Sequence, residues 1–323
     1  MNRSAEQGGV ASLRLPSEAD PRSRAARGER KTIVAWLQHH LPKFVLSPSL
    51  VITLVFVYGF IGWTVYLSFS RSRMLPNYDF AGWAQYNRLW STPNWYVALE
   101  NLAIFGGLYI FFCIAIGLLL AILLDQKIRI EGGLRPIYLY PMALSFIVTG
   151  TAWKWFLNPG LGLEKTLHAW GWEGFTFDWL VDPDMAIYTV VIAGVWQSSG
   201  FVMAMFLAGL RGIDQDVLHA AQIDGATPFQ TYRSIVVPQL RPVFLSALIV
   251  LAHLAIKSYD LVIALTGGGP GNATELPSTF MYSYTFTRNH MGVGAASAVI
   301  MLMTIAAVIV PYLYSEMREE KQV

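Results

Sequence analysis

The stretch at residues 219–242, HAAQIDGATPFQTYRSIVVPQLRP, decides how this chain is read. It lies between two apolar runs, AIYTVVIAGVWQSSGFVMAMFLAGL at 186–210 and VFLSALIVLAHLAI at 243–256. A turn between two helices needs only a few residues, whereas this segment with its approach from Arg211 runs to about thirty. Its local signals resolve it into two short helices. Asp214 is a good N-cap for QDVLHAAQID, and Gly225 stands where a helix end favours a residue that tolerates left-handed dihedrals. Thr227 then caps a second helix with Pro228 at its first position, and Gln230 completes a Thr-x-x-Gln capping box. The spacing predicts Phe229, Tyr232 and Val236 on one face, with Pro238 stopping the helix. The product is a compact helix–Gly–helix knuckle. One reading makes it a re-entrant pair that merely connects its neighbours. Against that, Val217, Leu218, Phe229 and Tyr232 offer more apolar surface than a solvent-exposed linker leaves uncovered, so a partner is expected to cover them.

The wider composition places the knuckle beside a membrane. Of the 323 residues, 54% are hydrophobic and only 14% charged, against roughly 25% charged in an average soluble domain. A spanning helix needs about 20 mostly apolar residues. Six stretches meet that length, at 44–68, 99–124, 136–157, 186–210, 243–265 and 292–314. The fold class expected is therefore an all-α membrane protein with six transmembrane helices. Residues 1–43 form a separate cytoplasmic tail ahead of the membrane domain at 44–323. Within it, 1–31 is expected to be disordered, and KTIVAWLQHHLPKF at 31–44 to form an interfacial helix that Pro42 ends. The tail is too long and too mixed in charge for a cleaved signal peptide.

Orientation follows from the basic residues of the loops. With the N-terminus in the cytoplasm, sixteen of the 23 Lys and Arg fall on the cytoplasmic side and five on the other. The expectation is N-in and C-in, with the segment 211–242 cytoplasmic. The opposite loop at 158–184 carries Trp170, Trp172, Phe175, Phe177 and Trp179, rings that seat such a loop on the bilayer interface or build a small core of its own. TGGGPGNATE at 266–275 is expected to be an irregular outer loop.

Catalytic patterns are missing. There is no H-E-x-x-H, no G-x-S-x-G and no Cys/His metal spacing; no Lys follows a Gly, which excludes a Walker A phosphate loop. The chain reads as a non-enzyme, and any work it does with ATP uses ATP bound by another chain. The single Cys113 falls in a span and excludes an intrachain disulfide. Polar groups inside spans are costly and face a cavity or a partner. In AHLAIKSYDL, helical offsets of four and three put His253, Lys257 and Asp260 on one face. That face either holds a Lys257–Asp260 ion pair at the helix end or lines an aqueous pathway. Trp196, Gln197, Ser198 and Ser199 form an uncharged polar band in the fourth stretch. They either bond to neighbouring helices or, with Ser258, Tyr259 and Asp260, offer the flat ring and mixed donors and acceptors a polyhydroxylated ligand needs.

The residues also carry a resemblance. His219-Ala220-Ala221, three residues, Gly225, nine more, and Ile235-x-Val237-Pro238 resemble the "EAA" motif, E-A-A-x3-G-x9-I-x-L-P, of the permease subunits of bacterial ABC importers. The blocks RPIYLYPMALSFIVTGTAWKWFLNP at 135–159, VWQSSGFVMAMFLAGLRGI at 195–213 and SYDLVIALTGGGPGNATE at 258–275 are similar to blocks of the carbohydrate-uptake branch, which includes the maltose and glycerol-3-phosphate permeases. Two positions depart from the pattern, His219 for the acid and Val237 for Leu.

The resemblance implies one transmembrane subunit of an ATP-driven, binding-protein-dependent sugar importer in the bacterial inner membrane. It implies a second and different permease chain, two ATPase subunits carrying ATP and Mg, and an extracytoplasmic solute-binding protein. No cofactor is expected on this chain, and no nucleic acid among its partners. By resemblance, His219, Ala220, Ala221, Asp224, Gly225, Ala226, Phe229, Ile235 and Pro238 form the ATPase-coupling segment. Trp196, Gln197, Ser198, Lys257, Ser258, Tyr259 and Asp260 are the substrate-pathway candidates. The rival function is an ion-coupled secondary transporter of a small polar solute, which Lys257 and Asp260 could serve; the inverted repeats of that class are not evident in the six stretches.

Overall fold

The computed structural model describes residue 43 and residues 45–126 and 131–319. The tail at 1–42, with most of its expected interfacial helix, lies outside the described residues. Among the described residues every regular element is a helix, apart from one isolated antiparallel bridge between Ser70 and Phe80. It divides into two compact units, Met1–Gly62 and Trp63–Val323.

Helix α1, Val45–Ser68, begins in the first unit. There Leu46, Leu50, Val51, Val55 and Phe56 are all exposed, as the outward side chains of a lipid-facing helix are. The second unit contains α2 (Ala84–Trp90), α3 (Pro93–Asp125), α4 (Glu131–Ala143), α5 (Phe146–Phe156) and α6 (Leu163–Ala169). It continues with α7 (Ala186–Arg211), α8 (Gln215–Ile223), α9 (Pro228–Gln239), α10 (Arg241–Ile256), α11 (Asp260–Leu265), α12 (Pro277–Tyr282) and α13 (Met291–Glu319).

Packing centres on α3 and α7, the most extensive helix pair. Phe105, Tyr109, Cys113 and Ala121 of α3 meet Val190, Val202, Met203 and Phe206 of α7, and Leu251, Leu261 and Leu265 of α10 and α11 complete this core. Gly117 is what lets the two long helices close up, because a Cβ there would stand 2.7 Å from Val202 Cγ1. A second core joins α2, the start of α3, α12 and α13 through Leu89, Trp95, Phe280 and Val293.

The hydropathy reading of the third and fifth stretches as single helices is corrected by the structure. Residues 136–157 are two helices, α4 and α5, separated at Leu144 and Ser145; Ser145 turns to φ −64°, ψ 143° and caps α5 by accepting from the Ile147 amide. Residues 243–265 are likewise α10 and α11, separated at 257–259. Composition satisfied the length rule in both cases, yet apolar content says nothing about backbone continuity. Each break frees carbonyls that hydrocarbon cannot satisfy, and each finds a side chain from another helix. Gln197 Nε2 of α7 donates to Leu144 O at 2.9 Å, and Ser278 Oγ of α12 donates to Ser258 O at 2.8 Å.

Among the described residues, α1, α3, α7 and Met291–Pro311 of α13 are each long and apolar enough to cross a membrane. The pair α9 and α10, bent by 62°, makes a fifth by the same criterion. The loop 158–184 builds its own small core: Phe175, Phe177 and Trp179 stack in sequence, and His168 bonds the Phe175 carbonyl. Trp170 and Trp172 are exposed.

Candidate functional site

The knuckle forms from the capping chemistry that its sequence carries. Asp214 accepts from the Asp216 amide and starts α8. At the other end Gly225 takes φ +78°, with Gly225 N–H donating to Gln222 O and Ala226 N–H to Ala221 O, the paired bonds of a Schellman turn. Two residues later the Thr227–Gln230 capping box closes reciprocally: Gln230 Oε1 accepts from the Thr227 amide at 2.8 Å, and Thr227 Oγ1 accepts from the Gln230 amide at 3.4 Å.

Two expectations about the second helix need correction. Pro238 does not stop it: α9 continues to Gln239, and a wide π turn at Tyr232–Val236 precedes the proline. That local widening accommodates a ring that would otherwise press on the preceding turn. The burial of Phe229, Tyr232 and Val236 does not follow the shared face expected of them. Phe229 is 72% exposed, Tyr232 is half-buried, and Val236 is 3% exposed in the main core with Leu218 and Tyr232 packed against it. Burial, with the nearby Asp125 carboxylate adding to it and Gln126 opposing, holds the Tyr232 phenol above its ordinary pKa.

What remains on the outside is a compact apolar tip. Ile223 is 86% exposed, next to exposed His219, Ala220, Asp224 and Gly225, with Phe229 and Val217 nearby in the chain. Ala221 and Val236 face inward, Ala226 and Ile235 are half-buried, and Pro238 is exposed. Sequence reasoning missed Ile223; its place on the last turn of α8, where helix packing ends, was the available signal. Because the capping box is local, Thr227→Ala is expected to cost about 1 kcal/mol of knuckle stability. Amide exchange at 229–231 should quicken roughly fivefold while amides of α3 stay protected. Equal exchange in both proteins would show that the cap contributes nothing.

The pathway candidates separate into two places. In α7, three consecutive residues point three ways. Trp196 is 40% exposed and lines an apolar cavity of about 680 Å³ with Phe112, Tyr138, Trp153 and Ser199; its ring meets Trp153 edge-on at 5.9 Å. Gln197 and Ser198 are buried: Gln197 holds the Leu144 carbonyl, and Ser198 Oγ accepts from Tyr109 OH at 2.7 Å. These two side chains therefore tie helices together. Gln197→Leu should leave that carbonyl unpaired and cost about 1–3 kcal/mol, seen as a lower melting temperature in detergent. An unchanged melting temperature would remove this structural role.

The other candidates sit at the α10–α11 break. Lys257, Ser258, Tyr259 and Asp260 line a cavity of about 120 Å³ with Phe146 and Leu254. The common helical face expected for His253, Lys257 and Asp260 does not exist, because α10 ends at Ile256 and Asp260 opens a new helix. Among the described residues Lys257 and Asp260 form no ion pair, and both are exposed. Trp196 and Lys257 line different cavities among the described residues. Among the described residues no group of three His, Cys, Asp or Glu side chains is placed to hold a metal ion.

Broken helices whose carbonyls are satisfied within the bundle, beside helices long and apolar enough to cross a membrane, mark a polytopic membrane protein. Comparison with known proteins makes the class specific. Residues 113–319 match the family described as "Binding-protein-dependent transport system inner membrane component", and the chain belongs to that family. The chain is 40% identical over 279 residues to the "probable ABC transporter permease protein" of Pyrococcus horikoshii, covering 86% of this chain and 96% of that one. It is 35% identical over 267 residues to the xylose/arabinose import permease protein of Haloferax volcanii, covering 81% and 84%. The fold also matches a chain in the crystal structure of a bacterial ABC transporter involved in import of the acidic polysaccharide alginate. That match has a TM-score of 0.75 at 18% identity and covers 89% of this chain and 99% of that one. Membership of this family displaces the ion-coupled carrier as the reading of Lys257 and Asp260.

Proposed function

We propose that this chain is one of two different permease subunits of an ATP-driven sugar importer of the cytoplasmic membrane. It crosses the membrane six times with both termini in the cytoplasm, the pairs α4–α5 and α10–α11 each serving as one broken span. The tail 1–43 precedes the permease domain 44–323. Lys and Arg bias in the loops supports this orientation, and the xylose/arabinose name of one relative supports a sugar as solute.

The observation that carries the reading is the knuckle. It is a doubly capped unit with Ile223 and Phe229 exposed at its tip, and apolar side chains so placed are covered in the working protein. His219, Ala220, Ala221, Asp224, Gly225, Ala226, Phe229, Ile235 and Pro238 form this coupling segment, which docks on one of two ATPase subunits carrying ATP and Mg. ATP-driven closure of those subunits moves the knuckle as a lever. An extracytoplasmic binding protein delivers the sugar, and Trp196, Lys257, Ser258, Tyr259 and Asp260 contact it, with Gln197 and Ser198 holding the pathway walls. Neither the knuckle nor the breaks supply catalysis, so hydrolysis belongs to the partners.

The test is uptake of labelled xylose and maltose by proteoliposomes containing this chain, a second permease, the ATPase subunits and the binding protein. Uptake should require ATP and vanish when this chain is left out. Uptake that persists without the ATPase subunits would refute the assignment.

A further inference from the structure

A cavity of about 350 Å³ lies on the side of the fold opposite the knuckle in the proposed orientation, and it shares only Tyr259 with the small cavity at the α10–α11 break. That size falls within the roughly 300–1,000 Å³ of ligand pockets. Its wall includes Tyr259, Glu275, Thr279, Tyr282, Ser283 and Arg288. The rings of Tyr259 and Tyr282 stand 4.9 Å apart, tilted by 44°, and each offers an aromatic face to the space. Gly267, Gly268 and Gly271 border the space at φ +70°, +89° and +60°, and a Cβ on any of them would meet nothing within 4 Å. The loop therefore turns at the cavity without filling it.

The polar groups are fixed and incompletely used. Arg288 Nη1 donates to Tyr284 OH at 2.9 Å, and its guanidinium carbon lies 4.6 Å from the centre of that ring, which sets the plane of a group with five donors. Glu275 is 6% exposed, and Asn101 of α3 anchors its backbone carbonyl at 3.0 Å. Its carboxylate Oε2 is buried with no hydrogen-bond partner. Burial raises the Glu275 carboxyl above its ordinary pKa, with Arg288 and Asn94 opposing. As part of the cavity wall, the Glu275 carboxyl presents an acceptor to the hydroxyls of a solute there.

We propose that this cavity is a second, outer sugar subsite, one ring in size, where Glu275 and Arg288 hold the hydroxyls of a sugar ring against Tyr259 and Tyr282. The class of ligand follows from the combination: a flat ring face for the C–H side of a pyranose or furanose, a carboxylate to accept from its hydroxyls, and a guanidinium to donate to its oxygens. The inference rests on the sugar-import reading above. It adds a stopping place between the binding protein and the helix break, at residues outside the pathway candidates except Tyr259.

The experiment uses the complete transporter in proteoliposomes with saturating binding protein and labelled xylose and maltose. Glu275→Gln and Tyr282→Ala are each expected to slow uptake roughly fivefold or more, the effect of losing one hydrogen bond or ring contact. Tyr282 is 43% exposed, so its truncation leaves the melting temperature of the complex unchanged. Tyr282→Phe, which restores the ring, should recover most of the lost rate. If the wild-type transporter takes up neither sugar, the sugar reading fails and the subsite with it. If wild-type uptake is present and both variants match it, the subsite is overturned while the import reading stands. Loss in Glu275→Gln alone, with Tyr282→Ala at the wild-type rate, makes Glu275 structural and also overturns the subsite.

Discussion

Replacing Gly225 by proline is expected to abolish solute uptake while leaving the chain inserted and folded. Three local costs coincide at this position. Proline fixes φ near −65°, and Gly225 stands at φ +78°. The substitution removes the Gly225 N–H that bonds the Gln222 carbonyl at 3.1 Å. It also disfavours the helical conformation of the residue before it, and Asp224 has φ −72°, ψ 0°. No neighbour lies within 4 Å of a built Cβ, so the damage is to backbone direction alone. The knuckle would lose the angle between α8 and α9 that presents Ile223 and Phe229, whereas the α3–α7 core contains none of these atoms. Gly225→Ala serves as the graded control, because it keeps the N–H and incurs only the left-handed penalty of roughly 1–2 kcal/mol. Uptake should therefore fall in the order wild type, alanine, proline, with ATP hydrolysis in the assembled complex no longer stimulated by loaded binding protein in the proline variant. Wild-type uptake by Gly225→Pro would refute the lever role of the knuckle.

The knuckle was legible because its determinants are local. A capping box, a proline at the first helical position and a glycine at a helix end act within four residues, and each formed where the sequence placed it. The membrane class was equally legible, being a matter of composition. What the sequence hid depends on partners distant along the chain. The break at Leu144 is satisfied by Gln197, 53 residues on, and that at Ser258 by Ser278, so no window of hydropathy contains both halves of either device. Helical periodicity then misplaced Lys257 and Asp260, since an offset of three means one face only along a continuous helix. Glu275 gave no sequence signal, as its burial follows from Asn101 drawing the outer loop onto α3, 174 residues away in sequence.

The second large effect concerns that non-local packing, and it needs only one methyl group. Gly200 is buried in α7 where α4 crosses it, and a Cβ built there would overlap the backbone carbonyl of Tyr138. A side chain in the way could change rotamer, but a carbonyl moves only with its helix. Gly200→Ala must therefore push α4 off α7, and α4 carries into Leu144, whose carbonyl Gln197 of α7 holds at 2.9 Å. Overpacking of a well-filled core costs about 1–3 kcal/mol and more when backbone must shift. Against a total stability of about 5–15 kcal/mol, that is a large fraction. The expected result is a markedly lower melting temperature in detergent, a reduced yield of folded protein, and faster proteolysis near the α4–α5 break. Gly107 in α3 provides the contrast: it is helical too, yet a Cβ there meets nothing within 4 Å. Gly107→Ala should be neutral or stabilising by about 0.5–1 kcal/mol through helix propensity alone. If the two alanine variants melt together, the close crossing of α4 over α7 at Gly200 is not what holds the broken span in place.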